Sequence, residues 1–390
     1  MTNSTEIRMP ASQIMYDHIA LGTGMPRDFY LSEELYRQEI EVIFNRSWLY
    51  AGHESQLSRP GDYVTVESGP ESVIVAHTAE GGLAAFHNVC RHRGARLVDP
   101  GCGRARRLVC PYHQWAYRMD GTLQGAPKMP AGFDPVQYPL PRVSLASWNG
   151  LVFINLAGQP GPDLPGLLGG GDPLFAPFDL GAAKIAHTAT YSVAANWKLV
   201  WENAQECYHC AANHPEFTRA FDVSASSTAD WQECEVHPSD DRRVQHTRFP
   251  LKPGAVSLTV DGTPACGKPM GEFARGRQPY TAAIHLKPTF ALICSPDYAV
   301  VFSDQPLAID RTQVTMTWLV RSDAEAGQDY DLANLIRVWD QTNLQDWALC
   351  ERTQLGVRSL SFIPGPLSGD EPSVAGFHQA YADMLACAGL

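Results

Sequence analysis

Phe86-His87-Asn88-Val89-Cys90-Arg91-His92-Arg93-Gly94, with Cys110-Pro111-Tyr112-His113 separated from His92 by seventeen residues, is the stretch that decides how this chain is read. Each segment offers one thiol and one imidazole beside turn-forming residues (Gly94, Gly101, Gly103 and Pro111). Two metal sites use that donor set. One is a tetrahedral Cys2His2 zinc site. The other is a 2Fe-2S cluster with both cysteines on one iron and both histidines on the other. Structural zinc fingers pair like with like, cysteine with cysteine and histidine with histidine. Here the types alternate as C-x-H and C-x-x-H, so two sulfurs can meet one metal and two imidazoles another. The spacing therefore favours the cluster. Histidine in place of two thiolates leaves it less negative and readier to accept an electron.

The residues around the motif read as a small all-β unit. Tyr63–Val66 and Val73–Ala76 are strand-like, and Gly81-Gly82 joins the second of them to Leu83–Val89 as a hairpin. Asp120-Gly121 makes another hairpin turn after Trp115–Arg118, and Gly150–Leu156 closes the unit. Six arginines lie from Arg91 to Arg107, between and around the ligand pairs. They favour the reduced cluster or dock an acidic electron donor.

The 390 residues allow roughly two to three domains. A content of 44% hydrophobic and 18% charged residues is that of a globular protein, and ten irregularly spaced cysteines do not make a disulfide scaffold. The net charge of -12 argues against nucleic-acid binding. No apolar run reaches the ~18 residues of a membrane helix, and the opening MTNSTEIRMP has no apolar signal core, so a cytoplasmic protein without membrane association is expected.

The organisation that follows is α+β. Residues 1–44 form an N-terminal helical segment, with Ser32 capping an amphipathic stretch to Phe44, packed on the C-terminal domain. Residues 45–157 are the all-β domain. Residues 158–173, ten of sixteen Gly or Pro, are a linker that can be neither helix nor ladder. Residues 174–390 are a second domain. It has a helix over 196–212, strands at 256–260, 290–294, 299–302 and 312–320, and a long helix over 329–354 that can pack across an antiparallel sheet.

That second domain carries another constellation, Asn203-Ala204-Gln205-Glu206-Cys207-Tyr208-His209-Cys210-Ala211-Ala212-Asn213-His214-Pro215. Glu206 and His209 are three apart and share a helix face. His214, five further on, would lie about 140° away on a continuing helix. Pro215 ends the helix there, so both imidazoles can converge. A facial triad for iron(II) needs a carboxylate. Asp346 is the candidate, because it lies on the apolar stripe of the last long helix (Leu332, Ile336, Trp339, Asn343, Cys350), where a lone carboxylate is costly. Asp340 and Glu351 fall off that stripe. Cys207 and Cys210 are expected to be small buried hydrophobes rather than a redox pair.

With both constellations on the page, the chain resembles the oxygenase components of the Rieske non-heme iron oxygenases. The resemblance implies an N-terminal Rieske domain with a 2Fe-2S cluster held by Cys90, His92, Cys110 and His113. It implies a helix-grip catalytic domain with mononuclear Fe(II) on His209, His214 and Asp346. Asn203 matches an asparagine close to that iron. Glu206 matches the acid that joins a cluster histidine to an iron histidine, here His113 and His209, across the interface of a head-to-tail homotrimer. Electrons would come from a separate flavin and iron-sulfur reductase using NADH or NADPH, since no G-x-G-x-x-G follows a strand here.

Glu at position 206, the run Glu202–Cys210 and Pro364-Gly365-Pro366 are similar to the quaternary-ammonium branch of the family, which acts on glycine betaine, proline betaine (stachydrine) and carnitine. The implied reaction is hydroxylation of an N-methyl group by O2, with collapse to formaldehyde and the demethylated amine. The alternative is an aromatic-ring hydroxylating dioxygenase. A quaternary ammonium is held by aromatic faces. Tyr208, Phe217 and Phe221 are the candidates nearest the motif, with Trp231, Phe290 and Phe302 also available, and His285 is the candidate partner for a betaine carboxylate.

Overall fold

The computed structural model describes residues 9–158, 163–221, 237–238, 241–249 and 251–390. Helices α1 (Ala11–Leu21), α2 (Arg27–Leu31) and α3 (Glu33–Val42) open the chain. The Ser32 hydroxyl accepts the Leu35 N–H at 3.3 Å, and Glu33 and Glu34 stand in the first turn of α3, where the helix dipole favours them. Met15, Phe29, Tyr30 and Leu35 share a core with Trp197 and Phe377 from the C-terminal half. Inside that core Glu39 accepts from Trp197 Nε1 at 2.9 Å, from Lys198 Nζ at 2.7 Å and from the Tyr381 hydroxyl. A buried charge is tolerable there only because a cation and two further donors meet it.

The next strands are β1 (Trp48–His53), β2 (Asp62–Ser68), β3 (Glu71–His77), β4 (Leu83–His87), β5 (Cys102–Arg104), β6 (Leu108–Val109), β7 (Ala116–Tyr117), β8 (Leu123–Gly125), β9 (Ser144–Trp148) and β10 (Leu151–Asn155). They make three sheets, ordered β4-β3-β2-β5, β6-β7-β8 and β1-β10-β9. Gly81 and Gly82, both at positive φ, turn β3 into β4 as the sequence predicts. At the β7–β8 turn Asp120 Oδ1 accepts the Thr122 N–H at 2.8 Å, and Gly121 sits at φ +84° against the Phe86 ring, where a side chain would crowd it. One sheet ends β4 before Cys90 and another ends β6 before Cys110, so the two thiol-bearing loops are held from two directions.

Residues 163–173, a described stretch of the expected linker, depart from that expectation. They hold two short helices, α4 (Leu164–Leu168) and α5 (Asp172–Phe175). Pro165 and Pro173 fall in first turns, where no N–H is needed. Leu164, Leu168, Leu174 and Phe175 are buried, and Asp172 accepts from Trp148 Nε1 at 2.7 Å. Tertiary burial of four apolar side chains overrides the glycine and proline count.

The C-terminal half contains β11 (Ala183–Val193), α6 (Trp197–Ala204), α7 (Cys210–Asn213), β12 (His237–Pro238), β13 (Val244–Phe249), β14 (Thr281–Leu286), β15 (Phe290–Cys294), β16 (Ala299–Ala308), β17 (Arg311–Arg321), α8 (Leu332–Val357) and α9 (Pro372–Cys387). Its strands form one antiparallel sheet, ordered β11-β17-β16-β15-β14-β13-β12. Helix α8, capped by Asp331, lies over it. Trp339 Nε1 donates to the Tyr298 hydroxyl at 2.9 Å and its ring meets Phe302 at 5.5 Å. The architecture is α+β, an all-β front unit and a helix-on-sheet rear unit. Trp48, Phe153 and Phe290 share one core cluster, and Thr289 Oγ1 donates to the Trp48 carbonyl at 2.7 Å, which ties the two units together. No helix among the described residues is long and apolar enough to cross a membrane.

Two further expectations are corrected. The stretch 196–212 is not one helix, because α6 stops at Ala204 and α7 starts at Cys210. The Glu206 carboxylate takes the N–H groups of Tyr208 and His209, giving the backbone an alternative to helical bonding. Residues 256–260 are bends rather than a strand. The N–H of Val256 donates to the Gly262 carbonyl at 2.8 Å, and Asp261 collects Thr259 and Thr263, so Asp261-Gly262 turn chemistry outweighs the β-branched run.

Candidate active site

The two N-terminal loops have matched backbones. The Cys90 N–H donates to the Ala95 carbonyl (2.9 Å) and the Gly94 N–H to the Cys90 carbonyl (3.0 Å). In the second loop Cys110 donates to Trp115 (2.8 Å) and Gln114 to Cys110 (3.1 Å). Gly94 and Gln114, each four past its cysteine, both take positive φ. Cys90 and Cys110 are buried, while the His92 and His113 rings stand nearer the surface with centroids 4.6 Å apart. Sulfurs inside and imidazoles outside is the arrangement that gives each metal of a pair its own donor type. The Nδ1 atoms of both histidines are buried and have no hydrogen-bond partner among the described residues. Two neighbouring acceptors left without donors fit a metal. The Tyr117 hydroxyl lies 3.4 Å from Cys90 Sγ and accepts the Arg91 N–H at 3.0 Å, and Trp115 stacks on His92 at 4.9 Å.

The second set gathers at the α6–α7 break. His209 and His214 flank the single turn of α7, with ring centroids 5.0 Å apart. Their Nε2 atoms both stand 2.9 Å from one oxygen, Oδ1 of Asp346 on α8. Asn203 Nδ2 donates to the same oxygen at 3.2 Å. The other ring nitrogens are occupied: His209 Nδ1 lies 2.5 Å from Glu206 Oε1 and His214 Nδ1 2.8 Å from Gln345 Oε1. Those acceptors fix the proton on Nδ1 and aim each Nε2 lone pair inward, as metal-binding histidines require. His214 Nε2 is buried and lacks hydrogen-bond geometry to any partner among the described residues. Two imidazoles and a carboxylate gathered in this way are the donor set of a divalent metal with open positions.

Electrostatics agree with that fit. Burial alone would disfavour a charged His209, yet Asp346 and Glu206 push its pKa up to about 9. The pair of histidines in turn holds Asp346 below the ordinary carboxylate range, against burial that would raise it. A site this negative wants a cation. The Cys210 sulfur also lies within 4.8 Å of the imidazole nitrogens, but it is bonded to Cys207. The expectation of two free buried cysteines is thus corrected: their Cα atoms stand 4.8 Å apart, within disulfide range. Asp340 and Glu351 are engaged elsewhere, by the Tyr191 hydroxyl and the Ala194 N–H.

A cavity of about 200 Å³ opens beside this focus, between α8 and the sheet. Phe217 and Phe221 line it, their rings tilted at 30° with centroids 4.8 Å apart, with Phe302 and Trp339 beyond them. His285 also lines it from β14, but burial and the nearby Lys287 push its pKa down to about 3. It is a neutral imidazole, able to offer a hydrogen bond and no charge. Tyr208 does not fulfil its expectation: it is 62% exposed and off the cavity wall, because the turn after Glu206 points it outward. Phe290 packs between the two units instead. Trp231 lies outside the described residues.

Three lining or supporting residues escaped sequence reasoning. Gln345 orients His214, Trp201 contributes an indole to the cavity wall, and Asp304 presents a carboxyl there from β16. Gln345 adjoins Asp346, which was a usable signal. Asp304 follows the apolar run Ala299–Phe302 at a position two past Phe302, so strand alternation places both on one face.

Residues 47–148 match the Rieske [2Fe-2S] domain family, and residues 180–387 match the ring hydroxylating alpha subunit (catalytic domain) family. The chain is 38% identical over 383 residues to a glycine betaine monooxygenase oxygenase subunit of Pseudomonas aeruginosa (strain UCBPP-PA14), covering 93% of this chain and 89% of that one. Its fold is that of a solved quaternary ammonium Rieske monooxygenase (TM-score 0.78, 23% identity, 94% of this chain and 98% of that chain). It is equally that of a naphthalene 1,2-dioxygenase from Rhodococcus sp. (TM-score 0.76, 20% identity, 98% of both chains). The fold alone therefore spans two substrate classes, and the lining of the cavity has to separate them.

Proposed function

The chain belongs to the ring-hydroxylating alpha-subunit family, oxygenase components that combine a Rieske 2Fe-2S cluster with mononuclear iron, and on that premise we propose that it hydroxylates an N-methyl group of a small quaternary ammonium compound of betaine type. Glycine betaine, giving dimethylglycine and formaldehyde, is the substrate the 38% identical relative's name suggests. The observation that carries the proposal is the convergence of His209, His214 and Asp346 beside an aromatic-walled cavity. Each aromatic face is worth about 0.5 to 2 kcal/mol to a desolvated cation.

In this reading Cys90, His92, Cys110 and His113 hold the cluster, and His209, His214 and Asp346 hold iron(II). The metals supply reductive activation of O2 with electrons from a separate reductase. The chain's own residues do the rest. Gln345 and Glu206 hold the imidazoles in one tautomer, and Asn203 steadies Asp346. Phe217, Phe221, Phe302 and Trp339 exclude water from the methyl group to be oxidised. Among the described residues Glu206 makes no bond to His113 of its own chain. A head-to-tail trimer would bring a neighbouring copy's cluster to it, and the exposed Tyr112 and Tyr208 beside the two centres suit such a contact.

The test is a substrate panel with any competent reductase, after anaerobic reconstitution with iron and sulfide. Formaldehyde from glycine betaine, proline betaine or carnitine is expected. A cis-diol from an arene, with no formaldehyde from any amine, would replace this reading with the ring dioxygenase.

A further inference from the structure

The cavity holds a carboxyl group that the metal site does not use. Four acidic residues line it. Glu206 is spent on His209 and the following backbone, and Asp346 on the two histidines and Asn203. Asp370 sits at the rim, in the loop before α9. Asp304 lies within the sheet. It pairs with Val314 of β17, shares a face with Phe302, and has the Trp201 indole beside it. No lysine or arginine lines the cavity among the described residues, and Asp304 has no ion pair there.

We propose that Asp304 is the counter-charge for the substrate's ammonium nitrogen, so that the site recognises a positive charge and not merely a trimethyl shape. This rests on the quaternary-ammonium reading above. Three observations support it. The position is surrounded by aromatic and apolar wall (Trp201, Phe302, Val314), the setting in which a cation's trimethyl shell is desolvated. The Trp201 indole lies beside it, and its N–H makes no hydrogen bond of good geometry among the described residues. The carboxyl is half-buried, and desolvation pushes its pKa up to about 7, a cost that a positive ligand beside it would offset. A neutral apolar substrate would leave that group uncompensated. An arene-binding cavity has no use for it.

Recognition of charge is separable from recognition of shape by isosteres. Glycine betaine and 3,3-dimethylbutyrate differ only in nitrogen against carbon, as do choline and 3,3-dimethylbutan-1-ol. Binding of each to the reconstituted holoenzyme is measured by calorimetry, for wild type and for Asp304→Asn, with iron content determined in both. The expected wild-type preference for at least one ammonium over its carbon twin is tenfold or more. In Asp304→Asn that preference should fall at least about tenfold, with the twin's affinity within twofold and iron content unchanged, a tenfold ratio being 1.4 kcal/mol. An unchanged preference in the variant overturns the role of Asp304 and leaves the substrate class standing. Loss of iron in the variant overturns it in favour of a metal-supporting role. No preference for either ammonium in the wild type overturns both.

Discussion

Oε1 of Glu206 stands 2.5 Å from Nδ1 of His209, while the other oxygen of the same carboxylate takes the N–H groups of Tyr208 and His209. One side chain therefore breaks the helix, orients a metal-facing imidazole and carries negative charge beside the site. Glu206→Gln keeps the shape and an acceptor but removes the charge. Both metal centres should remain loaded, and substrate-coupled O2 consumption should fall about 100-fold, in the range seen when the partner of a ligating histidine is altered. Iron and sulfide analysis with rapid-mixing absorbance of cluster reoxidation checks this. Full turnover in the variant would remove the bridge.

Asp346 is the point both imidazoles address, at 2.9 Å each. Asp346→Ala removes the only carboxylate at that focus among the described residues and leaves the front domain untouched. The variant should lose mononuclear iron while the reduced cluster retains its rhombic g-signal. Iron content equal to wild type would put the third ligand elsewhere.

Gln345 acts one step further out. Its Oε1 accepts from His214 Nδ1 at 2.8 Å while its Nε2 reaches Glu216 at 3.3 Å. Gln345→Leu leaves the ring free to turn and to change tautomer. Iron affinity should weaken about 10- to 100-fold, measured by competition with a chelator. An unchanged affinity would make Gln345 a packing residue.

The two ligand constellations were legible because metal chemistry fixes residue type and spacing together. Cys90, His92, Cys110 and His113 admit few alternatives, and Pro215 after His214 announced a helix end. The break before His209 was hidden, because it depends on the Glu206 side chain outcompeting helical bonding for two N–H groups. In the same way Leu164 and Leu168 made helix of a glycine- and proline-rich stretch only through tertiary burial. Tyr208 misled by adjacency, since a turn points neighbouring side chains apart. Asp304 and Gln345 carry no motif. A lone polar residue on a strand or helix acquires meaning only when folding shows what faces it.

Lys198 and Glu39 separate stability from chemistry. Both side chains are almost wholly buried and meet at 2.7 Å, joining helix α3 to helix α6. Lys198→Met would strand an uncompensated carboxylate in the core, a loss of about 3 to 5 kcal/mol. Denaturant unfolding should show it, whereas the cluster's spectrum in the folded fraction should not change. A variant as stable as wild type would mean that Trp197 and Tyr381 satisfy the Glu39 carboxylate without the cation.

Binding of a cationic substrate should depend on pH through Asp304. Its carboxyl is pushed up to about 7 by burial, so near neutrality part of the population is protonated and uncharged. Affinity for a quaternary ammonium should therefore rise as pH increases from 6 to 8 and level off once the group is ionised. The other charged or titratable groups on the cavity wall are His285 on β14, Glu206, His209 and His214 around α7, Asp346 on α8 and Asp370 before α9. His285, pushed down to about 3, stays neutral throughout that window. The ratio of glycine betaine to 3,3-dimethylbutyrate affinity reports every charge near the ammonium position, and comparison with Asp304→Asn assigns the part that belongs to Asp304. That ratio should climb with pH in the wild type and stay flat in Asp304→Asn. A wild-type ratio independent of pH would mean that a group other than Asp304 meets the ammonium.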